Sequence, residues 1–230
     1  MVEKYNIPRD HIYLLYADGD NADGDFYLNG DFYNSSMTYA AGSHVYEATK
    51  ANFKSVTESV AKLTDANDHL LVYVYDHGSG VDIEDNPNAK SITGEERICT
   101  WTYRRDGGIS GAEYNSWMSK ISAGYQTHLF AQCFAGGILD ALNMQSGDKK
   151  IYGAAADTHY SPSTSYVNPQ TGIGSGGFAY EVMMALNNGV NNTSSLAKYV
   201  ITDNVAQQRG KDDPYYRTNA NSGFQIFAQA

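Results

Sequence analysis

His69-Leu-Leu-Val-Tyr-Val-Tyr75, followed at once by Asp76-His77-Gly78, is the stretch that decides the fold. After His69 every side chain is apolar or aromatic, on odd and even positions alike, the pattern of a strand covered on both faces. A second stretch is built the same way: Thr127-His-Leu-Phe-Ala-Gln132 runs into Cys133, and Phe134-Ala-Gly-Gly137 follows. Each apolar strand ends in a reactive side chain and then glycine. In a parallel sheet all strands point one way, so residues at the C-terminal ends of neighbours meet at one rim, where open α/β sheets carry their ligands. An imidazole and a thiol meeting there are a base and a nucleophile.

Outward from these strands the chain alternates. His11 to Tyr16 reads as a further buried strand, and Lys150 to Ala156 as another. Phe53, Val56, Val60 and Leu63 recur at helical spacing behind Thr49, a helix N-cap residue. Ser110-Gly-Ala-Glu113 is a capping box opening a helix through Ile121, and Arg97 to Tyr103 alternates like one arm of a small hairpin that holds Cys99 as a core thiol. A helix beginning in the Gly136-Gly137 turn is expected to run to Met144, two more to cover 178–187 and 194–208, and a closing strand 223–228. The loop 157–177, rich in Ser, Pro, Thr and Gly, is long enough to be functional. Strands alternating with helices predict an α/β fold with a mostly parallel sheet, in one domain spanning 1–230.

The formal charge of −10 argues against a nucleic-acid partner, which needs clustered Lys and Arg. No run approaches the roughly 18 apolar residues of a membrane span, and the opening Met-Val-Glu-Lys-Tyr-Asn has no apolar signal core. Two cysteines make no disulfide scaffold. Asn34-Ser35-Ser36 and Asn191-Asn192-Thr193-Ser194 fit the glycosylation pattern, which counts only in a secretory compartment, and the sequence leaves the compartment open. Asp18, Asp20, Asp23 and Asp25 among glycines suggest a Ca²⁺ loop, but the EF-hand register fails for want of its terminal Glu, so a polar turn is the reading.

A cysteine is mostly protonated at neutral pH, so nucleophilic use of Cys133 needs a neighbouring His or a helix N-terminus. His77 supplies the first. Gly78 lets a backbone N–H approach a substrate carbonyl and, with the N–H of Cys133, form an oxyanion hole. Taken singly, each residue reads as structure, a small buried hydrophobe and a satisfied turn histidine; the pairing at one rim favours chemistry. Among the other histidines, His69 and His128 open strands at the far end of the sheet, and only His159 lies on a rim loop.

The two motifs, Asp76-His77-Gly78 and Gln132-Cys133-Phe134-Ala135-Gly136-Gly137, each closing an apolar strand, resemble the caspase-like cysteine peptidases, the group of legumain, metacaspase, gingipain and separase. Asp-His-Gly, the Ala154-Ala155-Ala156 strand end and the Ser165-Tyr166 pair resemble the legumain branch most. The resemblance implies a three-layer sandwich around a mostly parallel sheet, and a protein or peptide substrate cut through a Cys133–His77 dyad with Gly78 as oxyanion donor. It implies a specificity pocket from Asp76, Ala131, Gln132, Ser163, Ser165 and Tyr166, with no metal or other cofactor. Legumain-type pockets carry an acidic residue where this chain has Ala131, so strict Asn preference is not implied, and Gln132 is similar to caspases. Peptide hydrolysis and amide transfer use the same dyad, and a non-catalytic caspase-like binding module keeps the same fold. In this group a strand and helix precede the segment matching Tyr5 to Leu15, that strand lying beside the one that carries the histidine. The expectation is a truncated chain, or a partner segment or subunit that fills the gap.

Overall fold

The computed structural model describes residues 2–21, 24, 26–28, 30–33, 41–80, 96–145, 147–156, 166–167, 174–175, 177–202 and 214–228. Its central sheet has the order β13-β10-β9-β5, from β5 (His69–Tyr75), β9 (Tyr125–Ala131), β10 (Lys150–Ala155) and β13 (Tyr215–Thr218). Strands β5, β9 and β10 run parallel and β13 antiparallel, so the fold is mixed α/β with a mostly parallel sheet. A separate parallel pair joins β1 (Tyr13–Leu15) to β4 (His44–Tyr46), and a hairpin joins β2 (Phe26–Leu28) to β3 (Asp31–Tyr33).

Helices pack on both faces because each strand offers apolar side chains to both. On one face α2 (Lys50–Leu63), α4 (Gly111–Met118) and α5 (Ala135–Ala141) bury Tyr114, Trp117, Ile138 and Leu139 against Phe130 and Ile151. On the other, α6 (Gly177–Asn187) and α7 (Thr193–Ala197) bury Phe178, Val182 and Leu196 against Leu129 and Tyr152, with Tyr5 of α1 (Val2–Tyr5) alongside. The local signals hold: Thr49 caps α2 by accepting from the Asn52 N–H at 3.1 Å, and Ser110 and Glu113 form both halves of a capping box on α4.

Several expectations change. Segment 223–228 is not a sheet strand; Phe224, Ile226 and Phe227 are buried against α7, and the backbone is held by Asn191, whose side chain accepts from the Phe227 N–H at 2.7 Å and donates to the Phe227 carbonyl at 3.0 Å. Its apolar alternation served core burial, while Tyr215–Thr218 took the sheet edge. Asn192 caps α7 through its side-chain oxygen, so both asparagines of that glycosylation pattern are occupied as structural amides. The second pattern, at Asn34, lies outside the described residues, as do Asp23, Asp25 and His159. Arg97 to Tyr103 is a strand only over β7 (Arg97–Ile98), which pairs with β6 (Gly78–Ser79) and β8 (Ile109–Ser110); α3 (Tyr103–Asp106) fills the turn and ends at Gly107 in the left-handed region, φ 72°. The 157–177 loop contains a two-stranded pairing of β11 (Tyr166–Val167) with β12 (Gly174–Ser175), and α7 continues as a π-helical turn over Lys198–Thr202 before residues outside the description.

His128 stands in the middle of β9, fully buried, rather than at its start. Gln126 Nε2 donates to the carbonyls of Ile121 and Ala123, both at 3.2 Å, so its Oε1 must accept, from His128 Nε2 at 3.3 Å. His128 Nδ1 then accepts from the Tyr114 hydroxyl at 2.7 Å. Every polar atom of the imidazole is used with the ring neutral, and burial lowers its pKa to about 3.

Candidate active site

Strand β5 runs in register with β9, Tyr75 opposite Ala131 at the last pair. Two further positions along both chains are His77 and Cys133, which therefore leave the sheet side by side at the same rim. His77 is exposed and Cys133 half-buried.

Cys133 rides on a sharp turn. Phe134, the residue between it and α5, has φ 56° and ψ 22°, a left-handed conformation that costs a bulky side chain about 1–3 kcal/mol. The turn was expected at Gly136 and Gly137, but both lie buried inside α5. Their smallness is needed there: a Cβ on Gly137 would stand 2.2 Å from Cγ of Glu96, itself 4 % exposed. The glycines let α5 pack closely on Glu96, and the left-handed residue of the turn is Phe134.

Strand β6 is pressed against this turn. A Cβ on Gly78 would lie 1.7 Å from the Cys133 carbonyl oxygen, and one on Gly80 would lie 2.8 Å from the Phe134 ring. Two glycines, two residues apart, let the chain meet the turn closely, Gly78 against the Cys133 backbone and Gly80 against the Phe134 side chain. Gln132 completes the clamp: 3 % exposed, it donates through Nε2 to the Arg97 carbonyl at 3.2 Å and the Cys133 carbonyl at 3.4 Å. It holds the turn from inside, where a groove-lining role was expected. Ala131, 8 % exposed, packs in the core cluster on the α6 and α7 face.

Asp76 accepts from the His77 N–H at 2.6 Å. Part of Asp76 is open to solvent, yet the protein crowded around its carboxyl raises its pKa, outweighing that hydrogen bond and the charge of His77. Cys99, expected in a hairpin core, stands at the site: its N–H donates to the His77 carbonyl at 3.0 Å. Burial, then the charges of Asp76 and Cys133, push its thiol up to about 11. At neutral pH Cys99 is therefore protonated and a poor nucleophile. Its approach to His77 had no signal in the sequence, because it comes from the pairing of Gly78 with Ile98.

Of the remaining expected pocket residues, Ser163 and Ser165 lie outside the described residues, and Tyr166 is described in backbone only. Among the described residues no three His, Cys, Asp or Glu side chains are grouped to hold a metal ion, and no helix is long and apolar enough to cross a membrane. A cleft between α2 and α4, with Lys50 bridged to Glu113 at 2.7 Å, is lined by neither Cys133 nor His77. No family model and no curated protein matches the chain.

Proposed function

We propose that the chain is a caspase-like cysteine endopeptidase, with Cys133 the nucleophile and His77 the acid/base. The observation that carries this is the strained turn: Phe134 is left-handed directly after a half-buried Cys133 that leaves the sheet at the same rim as His77, and Gly78 and Gly80 pack without side chains against the Cys133 carbonyl and the Phe134 ring. A strained crest, two obligatory glycines and a buried clamp are costly, and a merely structural cysteine requires none of them.

In the proposed reaction the Cys133 thiolate attacks the scissile carbonyl carbon, and backbone N–H groups at Gly78 and Cys133 receive the oxyanion. The C–N bond breaks as His77 passes a proton to the leaving amine, leaving a thioester. Water, deprotonated by His77, hydrolyses the thioester and restores the thiol. An amine in place of water would give amide transfer from the same intermediate. Asp76 fits one wall of the specificity pocket, with Ser163, Ser165 and Tyr166 the expected other wall, and the substrate is a protein or peptide.

A thiol-reactive acyl probe tests the assignment. At pH 7 it should label Cys133 and spare Cys99, which should react only as pH approaches about 11. Labelling of both cysteines at equal rates at pH 7, or of neither, would remove the catalytic reading and leave a binding module of the same fold.

A further inference from the structure

The segment Arg97 to Trp101 crosses the site and is tied to it at every second residue. The Arg97 carbonyl accepts at 3.2 Å from Nε2 of Gln132, the residue before Cys133. The Cys99 N–H donates to the His77 carbonyl at 3.0 Å, and the Trp101 N–H to the Ala48 carbonyl at 2.9 Å. The chain therefore passes the turn of the nucleophile first and the base second, and reaches Trp101 on the side of His77 away from Cys133. Two residues past Cys99 is a reach of at most about 7 Å.

Trp101 is 48 % exposed. A single exposed aromatic is ordinary on a protein surface, but this one stands on a built support. Thr100 and Thr102, on either side of it, both donate their hydroxyls to Asp106, at 2.7 and 2.8 Å. The same carboxylate accepts from the Gly108 N–H at 2.9 Å and, at the start of α2, from the Lys50 N–H at 3.1 Å. With both neighbours turned onto one anion, the indole between them is left facing out. Tyr103 adds a tie to the strand that follows His77, its hydroxyl donating to Ser79 Oγ at 2.9 Å. Fixing an indole that stays half in water contributes little to folding. The support makes sense if something binds on the ring.

We infer that Trp101 is a specificity platform, receiving an aromatic side chain of the substrate at the first or second residue after the scissile bond. The inference rests on the peptidase reading. There His77 passes its proton to the leaving amine, so the substrate beyond the cut lies on the His77 side of the groove, where Trp101 stands. The spacing agrees, because an extended peptide advances about 3.3 Å per residue and the reach from Cys99 to Trp101 covers one or two. A second ring packed offset or edge-on against the indole gains beyond its buried area, and a platform already held in place adds no ordering cost on binding. An indole face also attracts cations, but Arg104 and Arg105 stand exposed on α3 just past Trp101, and their charge disfavours Lys or Arg as the occupant.

The test reads where the full chain cuts a synthetic peptide mixture that carries every residue type at each position, with cut sites identified by mass spectrometry. Sites cut by the parent should hold Phe, Tyr or Trp at the first or second position after the cut about 5-fold above their share in the mixture. Trp101→Ala should lose that enrichment, Trp101→Phe should keep part of it, and Trp101→Glu should exchange it for enrichment in Lys or Arg. Preferences before the cut should be the same in all four chains, which a general loss of fold or activity would not produce. No aromatic enrichment in the parent, or enrichment undiminished in Trp101→Ala or Trp101→Glu, would overturn the platform and leave the peptidase reading standing. No cutting by the parent, or cutting by Cys133→Ala at the parent's rate, would remove the peptidase reading and the platform with it.

Discussion

Strands β5 and β9 point the same way, lie in register and each deliver one half of the proposed dyad, yet six of seven residues in β9 are buried and none in β5 is. Their hydropathy would predict the reverse, since β9 carries Gln126, Thr127 and His128 while β5 is apolar or aromatic after His69. What separates them is that, among the described residues, β9 has strands on both sides and β5 on one. Burial inside a sheet is set by neighbours, and a polar side chain is admitted there when its hydrogen bonds close, as they do for His128. The pair also divides the chemistry, a strained and clamped thiol on the buried strand and an exposed imidazole on the open one.

The largest effect is expected at the two strand ends. Cys133→Ala should lower peptide turnover at least ~10⁴-fold and His77→Ala about 10²–10⁴-fold, with melting temperature nearly unchanged in both, because neither side chain fills the core. Turnover by Cys133→Ala within tenfold of the parent would dismiss this nucleophile. The next test compares residues that face each other across the ladder, Phe130 and Val74. Phe130 is fully buried and edge-on to Tyr114 at 5.2 Å, so Phe130→Ala should cost about 3–5 kcal/mol in urea unfolding, against about 1 kcal/mol for half-buried Val74→Ala. Should Val74→Ala cost as much as Phe130→Ala, β5 is no open edge.

Acid distinguishes the strands by a smaller margin. His128 has its pKa lowered to about 3 in the fold against about 6.5 when unfolded. Below pH 6.5 the unfolded chain takes up a proton that the folded chain refuses, so the stability present at neutral pH is lost as pH falls from about 6.5 toward 3. By pH 4 the loss is on the order of 3 kcal/mol. Unfolding of His128→Gln followed from pH 7 to 4 should show a shallower slope than the parent; an identical slope would mean that other groups set the acid sensitivity. Smallest of all is Tyr75→Ser on β5, which is 58 % exposed and should change stability by less than about 0.5 kcal/mol, a value that thermal unfolding can check.

Local physics was legible residue by residue. The extents of β5 and α2, the Thr49 cap and the Ser110–Glu113 capping box follow from apolar periodicity and from side chains satisfying N–H groups a turn away, interactions wholly within short windows of sequence. So does the placing of His77 and Cys133 at one rim, which needs only that two apolar strands run parallel. Four things came from the tertiary structure alone. Gly137 must stay without a side chain because Glu96, far away in sequence, fills the space beside it, and the left-handed residue ahead of the helix is Phe134. Cys99 reaches His77 because β6 and β7 pair. Tyr215–Thr218 takes the sheet edge while the more apolar 223–228 covers a core. And β5, with the sequence of an interior strand, is paired on one side only among the described residues. Each depends on which distant segment occupies a given space, and side-chain periodicity within one segment carries no record of its neighbours.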